Sequence, residues 1–136
     1  MNWVSLIKKI AGKRTVDFNI SHSGEFILAV FAVGMDIGVD VQEMAECPDY
    51  REIAENFYTA EEAEDVKNEG PDLFFQYWAA KEAYVKALGI GLGRGMDFFS
   101  VRNEKIAEKD KKDQDWFLYP VRIKGYAAYV AAHKKG

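Results

Sequence analysis

The chain has 136 residues, 49% of them hydrophobic and 29% charged, with 18 Lys and Arg against 22 Asp and Glu for a net charge of −4. These proportions predict one soluble globular domain spanning 1–136, and a single cysteine, Cys47, excludes an intrachain disulfide framework and makes a cytoplasmic location the simplest expectation. The acidic balance argues against a non-specific nucleic-acid binder, which needs Lys and Arg to neutralise phosphates, and the longest apolar run, 26–35, is about half the length of a membrane-spanning helix.

Trp3, Val4, Ile7 and Ile10 recur at helical spacing, so residues 3–11 are expected to form a short amphipathic helix ended by Gly12. Lys8, Lys9, Lys13 and Arg14 lie after or inside that short apolar stretch, which fits neither a signal peptide nor a transit peptide. These basic residues either solvate one face of the helix or provide a basic edge for a small polyanion. Phe18 to Ser21 and Phe26 to Val33, separated by Ser-Gly turn chemistry, predict a hairpin whose second strand is buried on both faces. Met35 to Gln42 alternates, with Ile37, Val39 and Val41 on one face and Asp36, Gly38, Asp40 and Gln42 on the other. Gly38 leaves room there for something to approach closely.

Helical patterning follows over Tyr50 to Phe57, then from Thr59, where Glu62 stands at capping-box spacing. Gly70 and Pro71 restart the chain into the longest helix, 72–88, stopped by Gly89 at the head of a glycine-rich loop over 89–95. Phe98 to Arg102, Trp116 to Ile123 and Tyr126 to Ala132 read as closing strands, with Glu104 to Asp115 as a charged surface connection. Helices inserted between antiparallel hairpins define an α+β class, an antiparallel sheet with a long helix packed across it.

The long helix carries an anomaly. Phe74, Tyr77, Trp78, Val85 and Leu88 make one apolar stripe, and Lys81 falls in the middle of it. A lysine there either snorkels or reaches a partner. Glu82 and Lys86 share one flank, four residues apart, where an ordinary helix ion pair is the plain alternative to a role in chemistry. If this helix packs across the polar face of the strand, Asp40, Gln42 and Glu82 converge as oxygen ligands suited to Mg²⁺, and Lys81 and Lys86 add positive charge for phosphates. Zinc and a catalytic triad are poorly supported, since His22 and His133 are the only histidines and neither sits in a nucleophile motif.

Phe18-Asn19-Ile20-Ser21-His22-Ser23-Gly24, Ile37-Gly38-Val39-Asp40-Val41, Phe57-Tyr58-Thr59 with Glu62, and above all Trp78-Ala79-Ala80-Lys81-Glu82-Ala83-Tyr84-Val85-Lys86 resemble the 4'-phosphopantetheinyl transferases, specifically the larger class that activates peptide and polyketide synthetases. The resemblance implies a fold of that type. It also implies an enzyme of holo-carrier-protein synthase type, using Mg²⁺ to transfer the phosphopantetheine arm of coenzyme A to a serine of an apo acyl or peptidyl carrier protein and releasing adenosine 3',5'-bisphosphate. By the same resemblance Asp40 and Glu82 are expected as Mg²⁺ ligands, with Gln42 as a third contact where the family usually has an acid. Lys86 and Lys81 are expected at the pyrophosphate, Ser21 and His22 at the nucleotide phosphate, and Lys13 and Arg14 as further positive groups. Glu82, or a water it holds, would accept the serine proton, and Trp78 would pack the helix on the sheet. Tyr58, Leu73, Phe74 and Phe75 are candidates for carrier docking or for the core. The larger class consists of two similar halves, and this chain matches the second half with the last strands of the first, so a homo-oligomer is expected to complete the site. The alternative is a non-catalytic module that binds coenzyme A or a carrier.

Overall fold

The computed structural model describes residues 16–91, 95–109, 111 and 115–135, together with Ser5 and Lys9. The helix expected over 3–11 falls outside them apart from those two residues, as do Lys13 and Arg14. The first strands described form a hairpin, β1 (Val16–Ser23) and β2 (Phe26–Val33), turned at Gly24, whose φ of +55° suits a residue without Cβ. β3 (Met35–Glu43) follows, then α1 (Tyr50–Phe57), α2 (Ala60–Glu69) and α3 (Pro71–Leu88). Thr59 and Glu62 cap α2 reciprocally, Pro71 occupies the first turn of α3, and Gly89 ends it in the left-handed region at φ +70°.

The closing segment is shorter in strand than expected. Only Phe99–Ser100 (β4) forms from the stretch 98–102, and the charged connection supplies its partner, β5 (Ala107–Glu108). β6 (Phe117–Pro120) ends at its proline, whereas β7 (Tyr126–Lys134) runs the full width of the sheet. The main sheet has the order β3-β7-β6 and is antiparallel, so the α+β arrangement of a long helix across an antiparallel sheet is found.

Alternation in β3 sorts the layers. A Cβ at Gly38 would run into the backbone of Ala83 and Ala87, so the face carrying Gly38, Asp40 and Gln42 is the one that α3 crosses. The close approach that Gly38 permits is therefore that of α3 itself. Between α3 and the sheet lies a core of Ala79, Ala80, Ala83, Tyr84, Leu118, Ala127, Tyr129 and Ala131, continued by Tyr58, Val66, Phe74, Tyr77, Phe99 and Val101 under α1 and α2. Val39 and Val41, on the opposite face, are also fully buried.

The expectation that β2 is buried on both faces is corrected. β1 and β2 pair only with each other, and Phe18, Ile20, Phe26, Ile27, Phe31 and Val33 are all exposed, Ile27 to 74%. Phe18 and Phe31 stack across the pair at 6.2 Å between ring centroids. The apolar run is therefore a ribbon whose outward face, carrying Phe18, Ile20, Ile27, Phe31 and Val33, is exposed.

Candidate active site

β1 lies beside the free edge of β3 but does not extend the sheet. Its inward side chains do the pairing instead: Val39 N donates to Asn19 Oδ1 at 2.9 Å, Val41 N to Ser21 Oγ at 3.1 Å, and Glu43 N to Ser23 Oγ at 2.9 Å. Lys86 on α3 bridges the same seam, its Nζ donating to Ile20 O at 2.9 Å and Val39 O at 2.6 Å. Lys86 thus spends two of its three donors on backbone carbonyls rather than closing a simple helix ion pair with Glu82.

Asp40 sits at this junction, 6% exposed. Gln42 Nε2 donates to its Oδ2 at 2.8 Å, and Ser21 Oγ to its Oδ1 at 3.3 Å. Burial pushes the Asp40 carboxyl up from an ordinary 3.8 to about 6, against the opposing effects of the Gln42 hydrogen bond, the Lys86 charge and the Ser21 hydrogen bond. Glu82 is also raised, by burial and then by the nearby Asp40 charge, with Lys86 opposing. Lys86 is lowered by burial and supported by both acids. Asp40, Glu82 and Lys86 therefore form one coupled electrostatic unit, two acids sharing one ammonium.

The donor set fits a hard cation. Among the described residues no group of three or more His, Cys, Asp and Glu side chains is placed to hold a metal ion, so a cation here would meet two carboxylates; Gln42, expected as a third contact, instead turns its amide N–H to Asp40 Oδ2. Mg²⁺ suits such a site, because it retains several waters and completes its octahedron with substrate phosphates.

Two further expectations are corrected. Lys81 does not face this unit: it is fully buried, paired with Glu62 at 2.7 Å, and donates to Met96 O at 2.7 Å and Phe99 O at 2.6 Å, so every donor it has is used in the core. Burial lowers its pKa, and the Glu62 carboxylate opposes that shift. Alternation turns Ser21 toward Asp40 and leaves His22 exposed on the outward face with Phe18 and Ile20. Trp78 packs not on the sheet but among Phe57, Tyr58 and Phe74. Of the residues read as docking candidates, Tyr58 and Phe74 are core, joined by a hydrogen bond from Tyr58 Oη to Phe74 O at 2.8 Å, whereas Leu73 and Phe75 are half-buried. Asn19 and Ser23 stand in the seam beside Ser21 with no role expected of them individually, although polar residues at 19, 21 and 23 opposite apolar ones at 18 and 20 are a period-2 signal.

Comparison with known proteins gives this unit a family. Residues 36–131 match the 4'-phosphopantetheinyl transferase superfamily, and the chain belongs to it. It is 38% identical over 89 residues to the 4'-phosphopantetheinyl transferase Sfp of Bacillus subtilis (strain 168), an alignment covering 62% of this chain and 38% of Sfp. It is 32% identical over 95 residues to the 4'-phosphopantetheinyl transferase HetI of Nostoc sp., covering 64% of this chain and 40% of HetI. A crystal structure of a holo-(acyl-carrier-protein) synthase from Bacillus anthracis, in complex with CoA (3',5'-ADP), has the same fold, with a TM-score of 0.56 and 22% identity over 74% of this chain and 96% of that one. The chain thus spans about two fifths of the length of Sfp and HetI. Among its described residues no helix is long and apolar enough to cross a membrane.

Proposed function

We propose that this chain transfers the 4'-phosphopantetheine arm of coenzyme A to a serine hydroxyl of an apo acyl or peptidyl carrier protein, in the cytoplasm and with Mg²⁺. The convergence of Asp40, Glu82 and Lys86 where α3 crosses β3 carries this reading. Phosphoryl-type transfer needs positioning and charge neutralisation more than covalent chemistry, so few side chains suffice. Asp40 and Glu82 would hold Mg²⁺, which when bound supplies positive charge to the phosphates.

Lys86, anchored by two carbonyls, has one donor left for a phosphate oxygen. Glu82, its basicity raised by burial and by Asp40, accepts the serine proton as the serine oxygen bonds to the phosphorus bearing the pantetheine arm. The bond from that phosphorus to the bridging oxygen then breaks, and adenosine 3',5'-bisphosphate leaves with the bridging oxygen and its electron pair. A second copy of the chain completes the substrate site. The outward face of the hairpin, with exposed Phe18, Ile20, His22, Ile27 and Phe31, supports that assembly, because an apolar face of this kind marks an interaction surface.

The test is labelling of a panel of apo carriers by a fluorescent coenzyme A analogue. Asp40→Ala and Glu82→Ala are each expected to abolish Mg²⁺-dependent labelling, and unchanged labelling in both would overturn the site. Coenzyme A binding by calorimetry with no product on any carrier would instead make the chain a binding module.

A further inference from the structure

The turn that joins β6 to β7 is basic, on a chain whose net charge is −4. Its side chains alternate: Val121 and Ile123 are half-buried, whereas Arg122 and Lys124 are exposed. Three backbone hydrogen bonds hold it in place, from Val121 N to Ala128 O at 2.8 Å, from Tyr126 N to Ile123 O at 3.0 Å, and from Met44 N, just past β3, to Gly125 O at 2.9 Å. Both cations line a cleft of about 280 Å³ that Gln76 of α3 and Tyr129 of β7 also line, with no acid among its described residues. Arg102, Lys111 and Lys135 are paired with Asp65, Glu108 and Asp17, but Arg122 and Lys124 have no ion-pair partner among the described residues. The strand register pairs Asp40 with Tyr129 and Glu43 with Tyr126, so the turn lies three residues of strand beyond Asp40 and one strand across, about 10–15 Å away. The helices α1 and α2 carry the opposite charge, with Glu52, Glu55, Glu61, Glu64 and Glu69 all exposed.

We propose that Arg122 and Lys124 dock an acidic surface of the polypeptide that brings its serine to Asp40 and Glu82, and so select among acceptors. The inference rests on the reading of Asp40, Glu82 and Lys86 as a transfer site for a serine-bearing partner. A partner of that size covers ground well beyond its serine: an interface of about 800 Å² on each side extends roughly 15 Å from its centre, which takes in the turn. A small anion is the poorer fit, because neither cation is buried and exposed charges on a turn hold one weakly against water and salt. An extended acidic surface gains from the same two charges by steering and by register. It is also repelled by the exposed acids of α1 and α2, so the charge pattern orients the acceptor with its acidic side over the turn.

The test is steady-state labelling of apo carriers by the fluorescent coenzyme A analogue, with the full chain, at low and at high NaCl. Arg122→Glu combined with Lys124→Glu is expected to raise the carrier KM about 10-fold or more at low salt, with kcat and the coenzyme A KM within about 2-fold of the parent. Most of that difference should vanish at high salt. Arg122→Lys combined with Lys124→Arg keeps both charges and is expected to match the parent. Lys67→Glu combined with Lys105→Glu makes the same change in net charge on exposed residues away from the turn, and is expected to leave the carrier KM within about 2-fold. A carrier KM unmoved by reversal at 122 and 124, or raised equally by reversal at 67 and 105, overturns the docking surface and leaves the transfer reading standing. A raised coenzyme A KM with the carrier KM unmoved overturns it in favour of the phosphates of coenzyme A. No labelling of any carrier by the parent overturns the transfer reading, and this inference with it.

Discussion

Asp40→Asn is expected to make the metal-free protein more stable while abolishing cation binding. Asp40 is nearly enclosed, and its carboxyl is raised from 3.8 to about 6, with burial the largest cause. The folded state therefore holds this proton more tightly than the unfolded chain does. Below pH 3.8 both states are protonated and the residue costs nothing; between 3.8 and about 6 the unfolded chain ionises first, and the cost of burying the charge accumulates. Above pH 6 the full cost is present, about 3 kcal/mol from the separation of the two values. A neutral amide avoids it, less whatever is lost in refitting the Gln42 and Ser21 hydrogen bonds. Urea unfolding in chelator, at pH 7.5 and at pH 4, measures the difference directly. The Asn variant should exceed the parent by about 1–3 kcal/mol at the higher pH and by almost nothing at the lower. A variant no more stable than the parent at pH 7.5, or a gain of equal size at both pH values, would refute the assignment of stored cost to the Asp40 charge.

Lys81→Met removes one partner of a fully buried ion pair and strands Glu62, so it is expected to destabilise the fold by about 3–5 kcal/mol, read by urea unfolding. Adding Glu62→Gln should recover part of that loss. In the same double variant, coenzyme A affinity by calorimetry should match the parent, because Lys81 faces the core. Gly38→Ala forces a methyl into the backbone of Ala83 and Ala87 and should cost about 3 kcal/mol in urea unfolding, with α3 moved off β3 and Mn²⁺ binding weakened in parallel. Phe31→Ser, on the uncovered face of the hairpin, should leave thermal unfolding of the fold nearly unchanged while reducing self-association in sedimentation velocity.

The residues that set the site were visible wherever local periodicity decides geometry. Alternation in 35–42 placed Gly38, Asp40 and Gln42 on one face, and the four-residue spacing of Glu82 and Lys86 placed them on one flank of a helix; the packing of α3 on β3 then brings the two sets together. The apolar stripe of α3 left Lys81 two outcomes, snorkelling or a partner, and the partner is what the fold supplies. Helical spacing does not name that partner, because Glu62 lies on another helix, Met96 and Phe99 follow a loop, and their convergence is a tertiary fact. The capping box at Thr59 and Glu62 was legible as a local device, but the second use of Glu62, accepting from Val101 N at 2.7 Å, was not. The hairpin misled for a different reason: hydrophobic composition reports that a face needs covering and is silent on whether this chain covers it.

A backbone ladder between strands is nearly indifferent to which side chains the strands carry, so most substitutions leave it intact. The attachment of β1 to β3 has no such tolerance, because its rungs are the oxygens of Asn19, Ser21 and Ser23. Its register is likewise spelled out letter by letter: a slip of one residue would present Phe18, Ile20 and His22 to the three N–H groups, two of them with no acceptor to offer. The price of this seam is mutational fragility at three positions, and its return is a junction where backbone carbonyls remain free to anchor a lysine.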